Sequence, residues 1–107
     1  MNNLNSVLIE GTILGDPEFS TTSDGVVSGK FSIASKRHYN QDSGVAEEVS
    51  IFEIKVGSKL ADAVKKYGKE NRGVRVVGRL KQEQCDDSED KSKSRIFIIA
   101  EHTEFRS

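Results

Sequence analysis

EEVSIFEIKVGSKLADAVKKYG, residues 47–68, carries two periodicities end to end. Over 47–56 apolar positions alternate: Phe52, Ile54 and Val56 point one way, Ile51, Glu53 and Lys55 the other. That period of two is the mark of a half-buried strand. From 59 to 68 the period lengthens. Leu60, Val64 and Tyr67 recur at i, i+4 and i+7, while Lys59, Asp62, Lys65 and Lys66 lie elsewhere around the axis. This predicts a short amphipathic helix, capped by Ser58 at its start and by Gly68 at its end.

The segments on either side read as strands. Val7, Ile9, Gly11 and Ile13 alternate with Ser6, Leu8, Glu10 and Thr12, predicting a first strand over 6–13. Gly15-Asp16-Pro17-Glu18 is expected to break it, because proline fixes φ and lacks a donor. Phe19 then opens a short arm towards a turn at Ser23-Asp24-Gly25. A second strand is expected over 26–37, with Val27, Phe31 and Ile33 facing inward and Lys30, Ser32 and Ala34 outward. Residues 39–46 read as a loop around Asp42-Ser43-Gly44. Beyond the helix, a fourth strand spans 73–84, with Val74 and Val76 inward and Arg75 and Val77 outward. A polar loop over 86–94 leads to a fifth strand at 95–101, through Ile96-Phe97-Ile98-Ile99. Phe31, Phe52 and Phe97 are assigned to inward registers. Three strands, a short helix and two more strands make an all-β chain. The order is that of the OB-fold, a five-stranded, partly open Greek-key barrel, with its helix between strands 3 and 4 closing the bottom. Pattern alone leaves other small β-barrels open.

At 107 residues, with no repeat and no linker, the chain reads as one domain over 1–107. Hydrophobic residues at 35% set it apart from disordered chains. No apolar run approaches the roughly 20 residues of a membrane helix, and Met1-Asn2-Asn3-Leu4-Asn5 lacks the start of a secretory leader. The lone Cys85 permits no internal disulfide. A cytoplasmic address, with no membrane partner, is therefore expected. Net charge is −1, but it is unevenly spread. Residues 1–54 hold three basic and eight acidic side chains, residues 55–83 nine and three, and residues 84–107 four and six. A local electrostatic footprint for a polyanion and a solvated helix face with charged strand edges both fit that distribution. No nucleophile elbow, phosphate loop or zincin signature is present, so no enzyme activity and no cofactor are expected. His38, His102 and Cys85 lack ligand spacing, and Asp86, Asp87, Glu89 and Asp90 lack the spaced ligands of a calcium loop. No metal site is expected.

Four segments carry a family resemblance: residues 5–18, with a strand, a glycine and then Asp16-Pro17-Glu18; Phe31-Ser32-Ile33-Ala34-Ser35; Ser58-Lys59-Leu60-Ala61-Asp62; and Val76-Val77-Gly78-Arg79-Leu80-Lys81. In this order and spacing the chain resembles the bacterial single-stranded DNA-binding proteins. The resemblance implies an OB barrel that binds single-stranded DNA with little sequence preference and protects it during replication, recombination and repair. It implies a homo-oligomer, a tetramer in preference to a dimer, in the nucleoid-associated cytoplasm, with replication and repair proteins as further partners. Such sites combine a basic groove along the phosphates with rings on which bases stack.

Lys59, Arg72 and Lys81 match family positions that contact phosphate. Tyr39, Ile51, Gly57 and Cys85 match positions that usually carry aromatic rings, so Tyr39 is the expected stacking residue and Cys85 a contact by position. Strand alternation adds Lys30, Lys55, Arg75 and Arg79, and the loop after strand 4 adds Lys91, Lys93 and Arg95. Glu53 stands where the family favours a basic or polar residue. Ser6, Leu8 and Phe52 are the expected subunit contacts. The chain departs from the family in having no tryptophan, and its residues stop at Glu104-Phe105-Arg106-Ser107, before any acidic tail of the family's kind, which is either absent or lies beyond them. These departures support a second reading, a tail-less primosomal or replication-restart accessory protein acting mainly through protein contacts. An RNA-binding module of the cold-shock kind fits less well. Those are shorter, with aromatics on strands 2 and 3, where this chain has Lys30, Ser32 and Ala34.

Overall fold

The computed structural model describes residues 2–84 and 94–106. Of the candidate contacts, Cys85, Lys91 and Lys93 lie outside the described residues. Five strands and one helix follow in the order β1 (Val7–Thr21), β2 (Val27–Gln41), β3 (Gly44–Val56), α1 (Ser58–Tyr67), β4 (Gly73–Gln84) and β5 (Ser94–Arg106). They close into a barrel with the spatial order β1-β2-β3-β5-β4, and β4 returns to pair with β1. Every pairing is antiparallel except β3 with β5, where Ile54 faces Ile98 and Lys55 faces Ile99. This is the OB-fold that the strand–helix–strand pattern predicts.

The alternation explains the core. Ile13, Phe31, Ile33, Ile54, Val56, Val74, Val76, Ile98 and Ala100 all point into the barrel and are buried there. Each larger side chain of that set contributes about 1.5–3 kcal/mol by leaving water. α1 lays Ala61 and Val64 on the same cluster and so closes one end of the barrel. Gly78 marks a close approach. It sits where the β4–β5 register shifts, and a Cβ there would run into the Ile99 carbonyl.

Several boundaries differ from the sequence expectation, each for a physical reason. β1 does not stop at Pro17 but runs on to Thr21. Leu14 pairs with Ser32 and Glu18 with Lys30, so residues 15–17 bulge opposite Phe31 alone. Gly15 provides the left-handed turn of that bulge (φ 70°), and Pro17 sits where no ladder donor is needed. Asp16 Oδ1 accepts a hydrogen bond from the Glu70 amide at 3.3 Å, which ties the bulge to the α1–β4 turn. Residues 39–46 are not an open loop. β2 and β3 stay paired out to Gln41 and Gly44, leaving only Asp42 and Ser43 between them. The resulting arm is exposed along almost all of residues 36–49. β5 likewise continues past 101 to Arg106 along β4.

At the helix start, Gly57 rather than Ser58 is the cap. Its carbonyl accepts from the Leu60 and Ala61 amides, with no side-chain cap bond. Gly68 does end α1, but in an extended conformation (φ −79°); its amide donates to Val64 O, against which a Cβ would press at 2.6 Å. Ala34, expected to face outward, is buried beside Gly11.

Candidate nucleic-acid interface

The cations gather on the outside of the barrel, where β2, β3, β5 and β4 lie side by side. Their register is direct. Lys30 faces Lys55 across β2 and β3, Lys55 faces Ile99, and Ile99 faces Arg79. Lys81 faces Phe97, and Arg95 faces Glu83. Like charges directly opposite on two strands repel, and here carboxylates offset the repulsion. Glu18 lies 3.6 Å from Lys30. Glu83 accepts a hydrogen bond from Lys55 at 2.7 Å and lies 3.8 Å from Lys81. That hydrogen bond, with the charges of Lys55 and Lys81 behind it, holds the Glu83 carboxyl below the usual carboxylate range. The Lys55 ammonium also sits over the Phe97 ring, 3.9 Å from its centroid. Among the described residues, Arg79 and Arg95 have no ion-pair partner. Beside the lysines a shallow depression is lined by Leu14, Glu18, Lys30, Ser32 and Glu53. The face therefore offers cations in a row, two of them without an ion-pair partner among the described residues and three beside carboxylates.

Other candidates stand apart. Tyr39 lies on the exposed arm opposite Ala46, 37% exposed, and its hydroxyl accepts from Gln41 Nε2 at 3.2 Å. Alternation along β2 puts it on the side of Arg37 and Ile33, not of Lys30. Lys59 is on the first turn of α1, near Ile99 and Glu101 at the margin of the cationic face. Arg75 is committed elsewhere, 2.9 Å from Glu10 and 3.7 Å from Glu104, while Arg106 reaches Glu10 at 3.1 Å. The hydrogen bond with Arg75 holds Glu10 low and raises Arg75 in turn. Arg72 lies in a cleft with Ala63, Tyr67, Thr103 and Phe105, and its Nε is buried without a partner. Of the subunit-contact candidates, Ser6 and Leu8 are exposed, Leu8 at 72%, while Phe52 packs against the core.

Sequence reasoning missed two members of the face. Phe97 is buried (8% exposed), but not on the inward register expected of it: it lies on the outer side of β5 facing Lys81, outside the main core cluster, with Lys55 on its ring. Its neighbour Ile98 takes the inward position. Glu83 shares its strand face with Lys81, a spacing visible in the sequence; its bond to Lys55 is not.

Comparison with known proteins gives this arrangement a family. The model of the single-strand binding protein family matches residues 4–106. The chain belongs to that family. Two relatives within it are the single-stranded DNA-binding proteins of Borreliella burgdorferi and Aquifex aeolicus. They are 31% and 35% identical to this chain, covering 92% of it in each case and 68% and 67% of their own lengths. Among solved structures, Plasmodium falciparum SSB in complex with ssDNA superposes with a TM-score of 0.84 at 20% identity, covering 99% of this chain and 96% of that one. The small single-stranded DNA-binding protein of Streptomyces coelicolor gives 0.78 at 20% identity, with the same coverages. Likeness at that identity establishes the fold. OB-folds carry oligonucleotides on the face of strands 2 and 3 and on the adjoining loops, which here is the face of Lys30 and Lys55. Among the described residues, no helix is long and apolar enough to cross a membrane, and no cluster of His, Cys, Asp and Glu could hold a metal ion.

Proposed function

We propose that this chain binds single-stranded DNA with little sequence preference and catalyses no reaction. It does so as a homo-oligomer, a tetramer in preference to a dimer, and protects exposed strands during replication, recombination and repair. The observation that carries the reading is the register of Lys30, Lys55, Arg79, Lys81 and Arg95 along one outer face of the barrel. Family membership and the ssDNA complex of the Plasmodium neighbour support it. Phosphates would lie along that row and displace Glu18 and Glu83 from the lysines. Lys59 extends the row at its margin. Tyr39 would stack on a base where the strand passes the arm. Arg75 shares the outer side of β4 with Arg79 but is paired with Glu10 and Glu104, and Arg72 lies in the cleft beside Tyr67 and Phe105, so both are peripheral to the row in this reading. Sequence tolerance follows, because phosphate contacts and stacking carry no base-edge information.

A second reading keeps the fold and makes the chain an accessory protein that works through protein contacts. The committed lysines and the absence of tryptophan favour it. One titration separates the two. A fluorescent oligo-dT is titrated at low and at moderate salt, with a duplex as control. Tight, salt-sensitive binding to the single strand supports the first reading. Binding that is undetectable at low salt sinks it and leaves the second.

A further inference from the structure

We infer that Phe97 is a base-stacking platform that Lys55 covers and Glu83 latches, so that phosphate binding and base stacking at this site occur together. The inference rests on the single-stranded DNA reading and deepens it. Three distances carry it. The Lys55 ammonium stands over the Phe97 ring at 3.9 Å from the centroid, where a stacked base would lie. The same ammonium donates to Glu83 at 2.7 Å, and Glu83 is 3.8 Å from Lys81. Phe97 itself faces Lys81 across β4 and β5. Its ring lies on the cationic face, opposite in register to Ile98 in the core.

The physical consequence is an exchange. A ring face holds one partner at a time, an ammonium or a base, since both use the same π surface. A phosphate that approaches Lys55 and Lys81 competes with the Glu83 carboxylate for both ammonium groups. When Lys55 turns from Glu83 to the phosphate, it leaves the Phe97 ring bare, next to the base that belongs to that phosphate. Exposing an apolar ring to water is unfavourable, so the lysine leaves it only as a base arrives. The ligand is thus a nucleotide unit with both a phosphate and a planar base. A bare polyanion meets the latch without gaining the stack. The chain has no tryptophan and few exposed rings, which gives this covered ring more weight in its affinity than it would have in a tryptophan-rich face.

The test uses the full chain, oligo-dT, and an abasic oligomer of the same length that keeps the phosphates and lacks the bases. Phe97→Leu keeps an apolar side chain, and its folding is checked by thermal melting. It is expected to lower affinity for oligo-dT about 5- to 150-fold, the range for loss of one stack, so that the ratio of dT to abasic affinity falls. Glu83→Gln is expected to tighten binding to both oligomers and to steepen the salt dependence, because Lys55 and Lys81 are freed for phosphate. Phe97→Trp places the chain's single tryptophan at the site; its fluorescence is expected to be quenched by oligo-dT and not by the abasic oligomer. The inference fails if the dT-to-abasic ratio is unchanged in Phe97→Leu, or if the Phe97→Trp signal ignores oligo-dT while anisotropy shows it bound. Should Phe97→Leu not fold, Glu83→Gln decides, and unchanged or weaker binding in that variant overturns the latch. A wild-type chain that binds neither oligomer defeats the function itself, an outcome distinct from all of these.

Discussion

Lys30 and Lys55 face each other across β2 and β3, and among the described residues Glu18 and Glu83 relieve their mutual repulsion. In the proposed reading, two opposed and neutralised ammonium groups are the place where the phosphates of a single strand bind. The neighbours on β4 test that idea at single residues. Changing Arg79 and Lys81 together to alanine is expected to reduce the slope of log affinity against log salt by about 0.7 for each phosphate no longer neutralised. Arg75→Ala should reduce the slope less, because two carboxylates, Glu10 and Glu104, lie within ion-pair distance of that guanidinium and compete with a phosphate. Titration of a fluorescent oligo-dT over a salt series measures both, and an unchanged slope in the double variant removes Arg79 and Lys81 from the face.

The same carboxylates set a dependence of stability on pH. Glu83 and Glu10 are both held low in the fold, chiefly by the Lys55 and Arg75 hydrogen bonds. A carboxyl whose folded value lies below its unfolded one stabilises the fold above the unfolded value, near 4.3 for glutamate. That contribution is lost as pH falls from there through the lowered folded value. The melting temperature should therefore be flat from neutrality down to about pH 5 and drop below it. The Glu10→Gln, Glu83→Gln double variant should melt lower at neutral pH and lose less on acidification. Thermal melts at a series of pH values decide this, and parallel curves for the two proteins count against it.

At the scale of elements, the parts legible in the sequence are those where one face is buried. The alternation through Phe52, Ile54 and Val56 and the helix through Leu60 and Val64 are imposed by a core that admits only apolar side chains. Where that requirement lapses, so does the signal. The arm of β2 and β3 beyond residue 35 is held by its cross-strand pairing with no core behind it, mostly polar apart from the exposed Val45 and Val49, and so resembles a loop in sequence. Pro17 reads as a break because its missing donor matters in a ladder, and a bulge removes that need. Ile96-Phe97-Ile98-Ile99 has no alternation to read, so the face of Phe97 is fixed only by the register with β4. Lys55 and Glu83, 28 residues apart, are joined by barrel closure, which no local pattern encodes. The arm yields a prediction at this scale. Replacing residues 38–47 with Asn-Gly between Arg37 and Glu48, which already pair, closes the hairpin near the barrel. No residue of that segment belongs to the core, so the melting temperature should move by only a few degrees. Affinity for oligo-dT should weaken, since Tyr39 is removed. A shortened chain that fails to fold would show the arm to be structural.

For the whole molecule, the accessible surface is 8009 Å², whereas a folded monomer of this mass exposes about 5,900 Å². The excess comes in part from paired strands that project beyond the core and leave apolar side chains in water. Ile51 is 65% exposed and Ile96 63%. Leu8 matters most among these. It stands on β1 opposite Val77, beside the Glu10–Arg75–Glu104–Arg106 cluster and two residues along β4 from Arg79. A patch with an apolar centre and a charged rim is the usual anatomy of a contact between subunits. A second copy there would cover Leu8. Leu8→Asp puts a carboxylate at the centre of that patch, next to Glu10 and to its counterpart in the other copy. Leu8 is exposed in the single chain, so the variant should keep its far-ultraviolet circular dichroism while its mass by light scattering falls below that of the wild type. Salt-dependent binding per chain should survive, with lower affinity on long oligo-dT, where linked sites raise the effective concentration. If the wild type has the mass of one chain, the proposed oligomer is overturned; if both share the mass of an oligomer, the subunits meet elsewhere, and the exposed apolar residues of the arm and of β5 are the next positions to change.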